Sequence, residues 1–295
     1  MFTTLVAVIA ALVLGHLAAA PMAALRDWRW FGHWLGWLRT HAGALAGGRF
    51  GLLPAIVPAM LLAGALQWLL DDRLYGLPAL LFGVAVLAWC WGPRDLDRDV
   101  EAVIDAEDTP AHGAAVAQLQ SAGGSLREDA PTLVDATIYS ALRRWFAPLF
   151  WFLLLGPLGA VLYRLLAQAV EGPQSAEVAD ASRDGGAWAL AVLEWPVVQL
   201  MALSMALVGN FDAVLSAWRR AAGNRWALGL GFLGEAARAG VGMELAEEAE
   251  DARAAGIVLQ VQRQPELRDA MSLVWRMLLL WMAALALLVI AGWVG

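Results

Sequence analysis

The amino-acid sequence predicts an all-α fold: a polytopic membrane helical bundle of about six spans with helical cytoplasmic segments. Hydrophobic residues make up 60% of the 295 residues, charged residues make up only 16%, and the mean hydropathy is +0.61. A soluble domain usually carries about 25% charged residues. Because the shortfall is concentrated in long apolar runs, residues 1–295 are predicted to form a single integral membrane domain.

Six apolar stretches are long enough, or nearly so, to cross a hydrocarbon core, which takes roughly 20 residues. Each is predicted to be helical, because lipid offers no hydrogen-bonding partner to a free backbone amide. No positive charge precedes the first stretch, so we expect an uncleaved span there and not a signal peptide. The predicted spans are residues 3–20, 51–70, 77–92, 147–168, 187–209 and 272–294.

The placement of basic residues predicts the orientation of these spans. The chain has 20 basic residues, all of them arginine, and cytoplasmic loops of membrane proteins are enriched in arginine. Arginine-rich segments alternate with the arginine-poor links 71–76 and 169–186. This alternation predicts that residues 21–50, 93–146 and 210–271 are cytoplasmic and that both termini are periplasmic.

Residues 26–41, with the sequence RDWRWFGHWLGWLRTH, combine four tryptophans with arginine and histidine. This composition is typical of a helix that lies in the plane of the membrane interface. The alternative is a re-entrant or packed connector.

The cytoplasmic segments are predicted to be helical as well. Residues 95–120 form one predicted helix, whose acidic start suits the helix dipole. A second helix begins near residue 132, and residues 212–256 form helices interrupted at glycines, including one break at residues 240–242. Residues 257–262, IVLQVQ, have the composition of a short strand, although no partner strand is evident.

Several classes of function are disfavoured by the sequence. A net charge of −7 argues against nucleic-acid binding, and the absence of lysine excludes a Walker A site. Gly229, Gly231 and Gly234 match the pattern GxGxxG, but no strand precedes them as a dinucleotide site requires. The one cysteine, Cys90, cannot form an intramolecular disulfide. No histidine, cysteine and carboxylate group has metal-ligand spacing, so no metal or cofactor is predicted.

Ionisable residues at or inside the predicted spans are the candidates for function. Glu194 lies about two turns into the fifth span, where a charge is costly and needs a partner, and both a functional and a structural role remain open. Arg164 and Arg276 lie near span ends and are expected to anchor them. Arg143 and Arg144 precede the fourth span, where they are either ordinary anchors or a cytoplasmic anion site.

Two sequence blocks resemble the AmpE family. One is RWFAPLFW at residues 144–151, followed by Gly156-Pro157 and Tyr163-Arg164. The other is LEWP at residues 193–196, followed by ALVGNF at residues 206–211. The terminal spans and the intervening cytoplasmic region also match in order and length, so the resemblance covers nearly the whole chain.

The resemblance implies a bacterial inner-membrane protein that regulates, or transmits a signal for, β-lactamase induction and peptidoglycan recycling. Its implied partners are the lipid bilayer and the AmpD amidase or another cell-wall recycling component, with the oligomeric state left open. Together with the ionisable positions, it gives a candidate ligand or partner site: Arg143, Arg144, Tyr163, Arg164, Glu194, Asn210 and Asp212.

The AmpE family is similar in turn to the CobD/CbiB membrane enzymes of cobalamin synthesis. Those enzymes carry a polar E-N-T-x-D stretch before the APLFW block, where this sequence has residues 139–143, YSALR. The carboxylates of that stretch are replaced, and Arg143 stands in the place of its aspartate. A non-enzymatic regulator is therefore predicted. The alternative is a membrane enzyme or small-anion-binding protein with a remodelled CobD/CbiB-like site.

Overall fold

The structure, a computed structural model, is helical almost throughout. Of the residues it describes, 89% are helical and none lies in a strand, which confirms the all-α prediction. The described residues are 6–11, 28–42, 47–70, 77–91, 95–106, 108–119, 129–220, 230–256 and 263–291.

The described residues contain twelve α-helices, numbered in chain order, with one π-helical and one 3₁₀ segment, and residues 6–11 are helical as well. They are α1 (Arg29–His41), α2 (Leu53–Leu70), α3 (Leu77–Cys90), α4 (Leu96–Asp105), α5 (Thr109–Leu119), α6 (Ala130–Ala141), the π-helical turn (Leu142–Phe146), α7 (Ala147–Leu155), α8 (Pro157–Glu171), the 3₁₀ turn (Pro173–Glu177), α9 (Asp180–Val208), α10 (Phe211–Arg220), α11 (Gly231–Ala254) and α12 (Pro265–Ile290).

The chain folds into two compact units, a division that the sequence analysis did not anticipate. Unit 1 comprises Met1–Asp95, Arg143–Glu194 and Leu285–Gly295. Unit 2 comprises Leu96–Leu142 and Trp195–Ala284. Helices α1 to α3, α7 and α8 belong to unit 1, whereas α4 to α6, α10 and α11 belong to unit 2. The long helices α9 and α12 contribute residues to both units.

Three of the described helices are long and apolar enough to cross a membrane: α2, α9 and α12. They overlap the predicted spans 51–70, 187–209 and 272–294. Helix α3, in the predicted third span, is equally apolar but has only 14 residues. The predicted first span, 3–20, lies outside the described residues except for 6–11.

The predicted fourth span, 147–168, is wrong as a single crossing. This segment is a hairpin of two helices, α7 with 9 residues and α8 with 15, which meet at Gly156. At 1.5 Å per residue α7 is about 14 Å long, against about 30 Å for a hydrocarbon core. Arg143 precedes α7 and Glu171 ends α8, and their side chains form an ion pair. Both ends of the hairpin therefore lie at the same end of unit 1.

The hairpin turn is stabilised by a polar side chain from α2. Gln67 donates a hydrogen bond from Nε2 to the carbonyl oxygen of Leu155 (3.4 Å), and its Oε1 accepts one from the backbone N–H of Leu158 (3.2 Å). These backbone groups lie at helix ends and have no intrahelical partner. Gly156 itself has φ of +69°, a conformation that favours glycine. One glutamine in an apolar helix thus satisfies the turn.

In unit 2, α6 packs against α11. Arg238 of α11 forms an ion pair with Asp135 of α6, and the hydroxyl of Tyr139 donates to the carbonyl oxygen of Leu230 at 3.1 Å. Burial raises the pKa of Asp135, and the guanidinium of Arg238 offsets this only in part. The ion pair with Arg238 therefore only partly compensates the cost of burying the carboxylate of Asp135.

In the described part of unit 2 the helical prediction is confirmed, but two predicted boundaries are wrong. The segment predicted as one helix, residues 95–120, contains two helices: α4 ends at Asp105 and α5 begins at Thr109. The expected break at residues 240–242 is absent, since α11 runs without interruption through its glycines. The predicted strand 257–262 and Gly229 of the GxGxxG pattern lie outside the described residues.

Candidate functional site

Four polar side chains converge inside unit 1 and are called the Arg143 cluster: Arg143, Tyr163, Glu171 and Glu194. Arg143 donates from Nε to Oε1 of Glu194 at 2.9 Å, and its Nη1 forms an ion pair with Glu171. The Tyr163 hydroxyl donates to the same oxygen of Glu194 at 3.0 Å. Two carboxylates therefore share one guanidinium, and one of them is held by a second donor.

The cluster is largely removed from solvent. Glu194 is 2% exposed and Tyr163 is fully buried, whereas the side chains of Arg143 and Glu171 are 17% and 22% exposed. Burial alone would lower the pKa of Arg143, but Glu194 and then Glu171 outweigh it and raise that pKa above its ordinary value. The guanidinium therefore stays charged. Removing one partner of a buried ion pair typically costs about 3–5 kcal/mol.

A π-helical turn positions Arg143. Pro148, in the first turn of α7, has no N–H to bond the carbonyl of Arg144, and its ring crowds that carbonyl. The backbone before the proline widens into the π-helical turn Leu142–Phe146. Single π turns within helices occur often at functional sites, because they redirect a side chain without ending the helix.

Glu194 is positioned by a contact between α7 and α9. The indole Nε1 of Trp151, in α7, donates to the carbonyl oxygen of Leu193 at 3.2 Å. Leu193 is the neighbour of Glu194 in α9, so this bond holds the backbone beside the buried carboxylate. The APLFW block of the sequence thus supplies both the proline that shapes the π-helical turn and the tryptophan that ties α7 to α9.

Comparison with known protein families gives a match that includes every residue of the Arg143 cluster. The family model described as regulatory signalling modulator protein AmpE matches residues 49–229, which is more than half of the chain and includes all four cluster residues. The chain belongs to the AmpE family. No curated protein and no solved structure matches the chain. The family description gives this AmpE-family chain a regulatory role, and the kinship with CobD/CbiB enzymes stays a prediction.

The remaining arginines of the candidate site in this AmpE-family chain lie elsewhere in unit 1. Arg164 is buried and donates from Nε to the carbonyl oxygen of Cys90 at 2.7 Å, with a second bond from Nη2. Cys90 ends α3, where a cation also suits the helix dipole. Arg164 therefore holds α8 to the end of α3 and does not extend to an interface as expected. Arg144 is buried next to Arg143 in the π-helical turn.

Two residues of the candidate site, Asn210 and Asp212, belong to unit 2. Asn210 accepts a hydrogen bond on Oδ1 from the N–H of Ala213 at 3.0 Å, which caps the start of α10. Its Nδ2 donates to Oε1 of Glu247 at 3.0 Å. Asp212 is exposed in the first turn of α10, where the helix dipole favours a carboxylate. In unit 2 both residues thus serve the start of a helix.

Arg276, expected to anchor the last span, has a specific partner in unit 2. Its Nη1 and Nη2 donate to the two carboxylate oxygens of Glu244 at 3.0 and 2.6 Å, and Nη1 also donates to the carbonyl oxygen of Val208. This two-pronged geometry is the strong form of an arginine–carboxylate pair. Arg276 therefore ties α12 to α11 and to the end of α9.

Sequence reasoning missed Glu171, the fourth member of the cluster. The residue lies in the arginine-poor link 169–186, which was predicted to face the side of the membrane opposite to Arg143. The available signal was the pair Gly156-Pro157, which divides the apolar stretch where the hairpin turns. Within the described residues, no group of three or more histidine, cysteine, aspartate or glutamate side chains is placed to hold a metal ion.

Proposed function

We propose that this AmpE-family protein is a non-enzymatic regulator in the bacterial inner membrane, linked to β-lactamase induction and peptidoglycan recycling. The observation that supports this proposal most is the Arg143 cluster. It joins the two ends of the hairpin to α9 by charged contacts that are largely removed from solvent. The family description as a regulatory signalling modulator supports the same conclusion.

The cluster has the chemistry of a two-state element. A buried guanidinium and its carboxylates are costly to separate unless each finds another partner. The cluster therefore changes by exchanging one partner for another and not by gradual loosening. A regulatory partner acts on such an element by binding one arrangement more tightly than the other. The partner in this proposal is the AmpD amidase or another cell-wall recycling component.

Anion binding at Arg143 is the alternative function. Arginine matches carboxylate and phosphate groups well, which supports it. However, Glu194 and Glu171 already contact the guanidinium, so an incoming anion would have to displace one of them. Glu171 is the more exposed of the two and would be displaced first. An enzyme with a remodelled site would need the same displacement before its substrate reached Arg143.

The regulatory proposal is tested by deleting the gene and restoring it as wild type, Glu194→Gln or Asp180→Asn. Asp180 is in the same helix as Glu194, but its side chain is 88% exposed, so its variant is the matched control. We expect deletion to change β-lactamase activity after exposure to a β-lactam, and only wild type and Asp180→Asn to restore it. Glu194→Gln removes the buried charge while keeping nearly the same shape.

Membrane levels of each variant are compared by immunoblot, so that loss of protein is separated from loss of signalling. An unchanged induction in the deletion strain, with the neighbouring amidase intact, would contradict the regulatory proposal. Full restoration by Glu194→Gln at normal protein level would instead exclude the charge of the cluster from the mechanism.

A further inference from the structure

One face of α1 presents aromatic and basic side chains to the outside of unit 1. Trp30, His33, Trp37 and His41 follow one another at helical spacing, so they lie on the same side of the helix. Trp30 and Trp37 are 45% and 50% exposed, and both histidines are exposed too. We call this stripe the outer face of α1. Large exposed aromatic surface of this kind indicates a contact with another molecule.

The opposite face of α1 is held by the protein itself. Phe31, Leu35 and Leu38 are buried, and Trp28, just before the helix, stacks on Trp89 with ring centroids 4.2 Å apart. An interfacial helix usually buries its apolar face in lipid. In α1 the apolar face is already covered by unit 1. If α1 lies at the membrane interface, as the sequence predicts, a different face of the helix must contact the lipid.

Two contacts place α1 at the end of unit 1 where apolar helices start and finish. The indole Nε1 of Trp34 donates to the carbonyl oxygen of Ala55 at 3.3 Å, in the first turn of α2. Trp89, which stacks on Trp28, lies next to the last residue of α3. Since α2 is long and apolar enough to cross a membrane, α1 lies at the level where such a helix would enter it.

Other side chains at this end have the same character. The guanidinium of Arg49, just before α2, lies over the ring of Trp188 in α9, 5.7 Å from its centroid. Trp188 and Phe50 are exposed. Tryptophan and arginine are the residues that gather at the level of lipid headgroups. Further along α2 the exposed residues become aliphatic, as at Leu61, which is 68% exposed. This succession matches the passage from headgroups to acyl chains.

We propose that the outer face of α1, with Arg49 and Trp188, docks on the phospholipid headgroup layer of one leaflet. Helix α1 has no acidic residue, so no carboxylate on it repels lipid phosphate. Indole N–H groups, imidazoles and guanidinium groups donate to phosphate oxygens, while the ring faces contact the first methylene groups. The proposed contact with lipid does not depend on the proposed regulatory function.

The proposal also fixes the side on which the hairpin enters. Arg39 of α1 forms an ion pair with Glu177 of the 3₁₀ turn at 3.1 Å, and that turn directly follows the hairpin. Arg143 and Glu171 keep the two ends of the hairpin together. Residues 173–177 therefore lie at the same leaflet as α1. The arginine alternation had predicted the opposite side for the link 169–186.

A depth measurement tests the docking. Nitroxide labels are placed at His33→Cys and, as the acyl-chain control, at Leu61→Cys, in protein reconstituted into vesicles of phosphatidylcholine with or without phosphatidylglycerol. The native Cys90 is fully buried, and unmodified protein checks that it takes up no label. Collision rates with oxygen and with an aqueous nickel chelate report depth. We expect the label at position 33 at headgroup depth and the label at 61 near the bilayer centre.

Headgroup depth in both vesicle types supports docking on any phospholipid, and headgroup depth only with phosphatidylglycerol supports docking that requires headgroups of net negative charge. A label at position 33 that collides with nickel as freely as a residue in water, in both vesicle types, overturns the proposal. The face would then be open to a soluble ligand or protein.

A labelling experiment tests the side of the hairpin. Ala176→Cys, exposed in the 3₁₀ turn, is compared with His33→Cys for reaction with a membrane-impermeant maleimide in spheroplasts and in inverted vesicles. We expect both positions to react only in inverted vesicles. Reaction of position 176 in spheroplasts, with position 33 protected, would overturn the shared leaflet.

Discussion

Glu194 illustrates at the residue scale how a membrane-embedded carboxylate is stabilised. One of its oxygens accepts from both Arg143 and Tyr163, so the charge is matched by a cation and by a neutral donor. A carboxylate in this position is costly unless such partners are present. The second carboxylate, Glu171, contacts the guanidinium of Arg143 in the cluster, and it is the more exposed of the two. The two acids therefore differ in how firmly they are held.

Substitutions in the cluster should separate these contributions. Glu194→Ala leaves a buried guanidinium with one carboxylate, and we expect the free energy of unfolding to fall by about 3–5 kcal/mol. Tyr163→Phe removes one hydrogen bond to a charged group and should cost about 1.5–3 kcal/mol. Denaturant titration of purified protein in detergent measures both, with Asp180→Asn as control. Equal stability of Glu194→Ala and Asp180→Asn would show that the cluster does not stabilise the fold.

Only part of the cluster could be predicted at this scale. Glu194 was identifiable because a charge inside an apolar stretch needs a partner. Arg143 was identifiable as an arginine at the start of a predicted span, and Tyr163 only through the family resemblance. Which partner each one takes depends on the direction of α8. The hydropathy of a segment depends only on its composition. It has the same value whether the segment crosses the membrane once or turns back on itself. Glu171 was therefore predicted on the side opposite to Arg143, with which it forms an ion pair, and Arg164 was given an interfacial role in place of its bond to the end of α3.

At the scale of elements, the hairpin of α7 and α8 depends on small residues that let two backbones approach closely. A Cβ added at Gly159 would stand 2.2 Å from the carbonyl oxygen of Trp151. That oxygen belongs to the backbone of α7 and cannot move aside as a flexible side chain would. Glycine and proline are tolerated inside spanning helices too. The pair Gly156-Pro157 was therefore ambiguous in the sequence and was interpreted as the interior of one span.

A matched pair of glycine substitutions tests this packing. Gly159→Ala should lower the free energy of unfolding by about 1–3 kcal/mol, because the new methyl group overpacks the hairpin. Gly64→Ala is the control: its Cβ would meet only Leu158 Cδ1 at 3.7 Å, an ordinary contact. Alanine is a better helix former than glycine, so this variant should be neutral or more stable by up to about 1 kcal/mol. Denaturant titrations in detergent that rank the two variants in the reverse order would contradict the hairpin packing.

At the scale of the whole molecule, the apolar helices leave much of their surface uncovered by protein. In the most apolar 18-residue windows of α2 and α12, only 17% and 22% of the residues are buried. Contiguous apolar surface of that extent is rare on soluble monomers and leads to association in water. Composition alone sufficed to predict this property, since it depends on the number of apolar side chains and not on how the helices are connected.

Extraction behaviour provides the corresponding test. We expect the full-length protein to remain in the membrane pellet after alkaline carbonate treatment, which strips peripheral proteins, and to enter solution only with detergent. The physical reason is that transfer of the exposed leucines and valines of α2 and α12 into water costs about 25 cal/mol per Å² of apolar surface. The excess negative charge, −7 overall, would favour release if charge attraction to lipid were the only attachment. Recovery of monodisperse protein in carbonate without detergent would therefore exclude membrane insertion. Retention, together with a label at position 33 that collides with nickel as freely as a residue in water, would preserve insertion while removing the lipid role of α1.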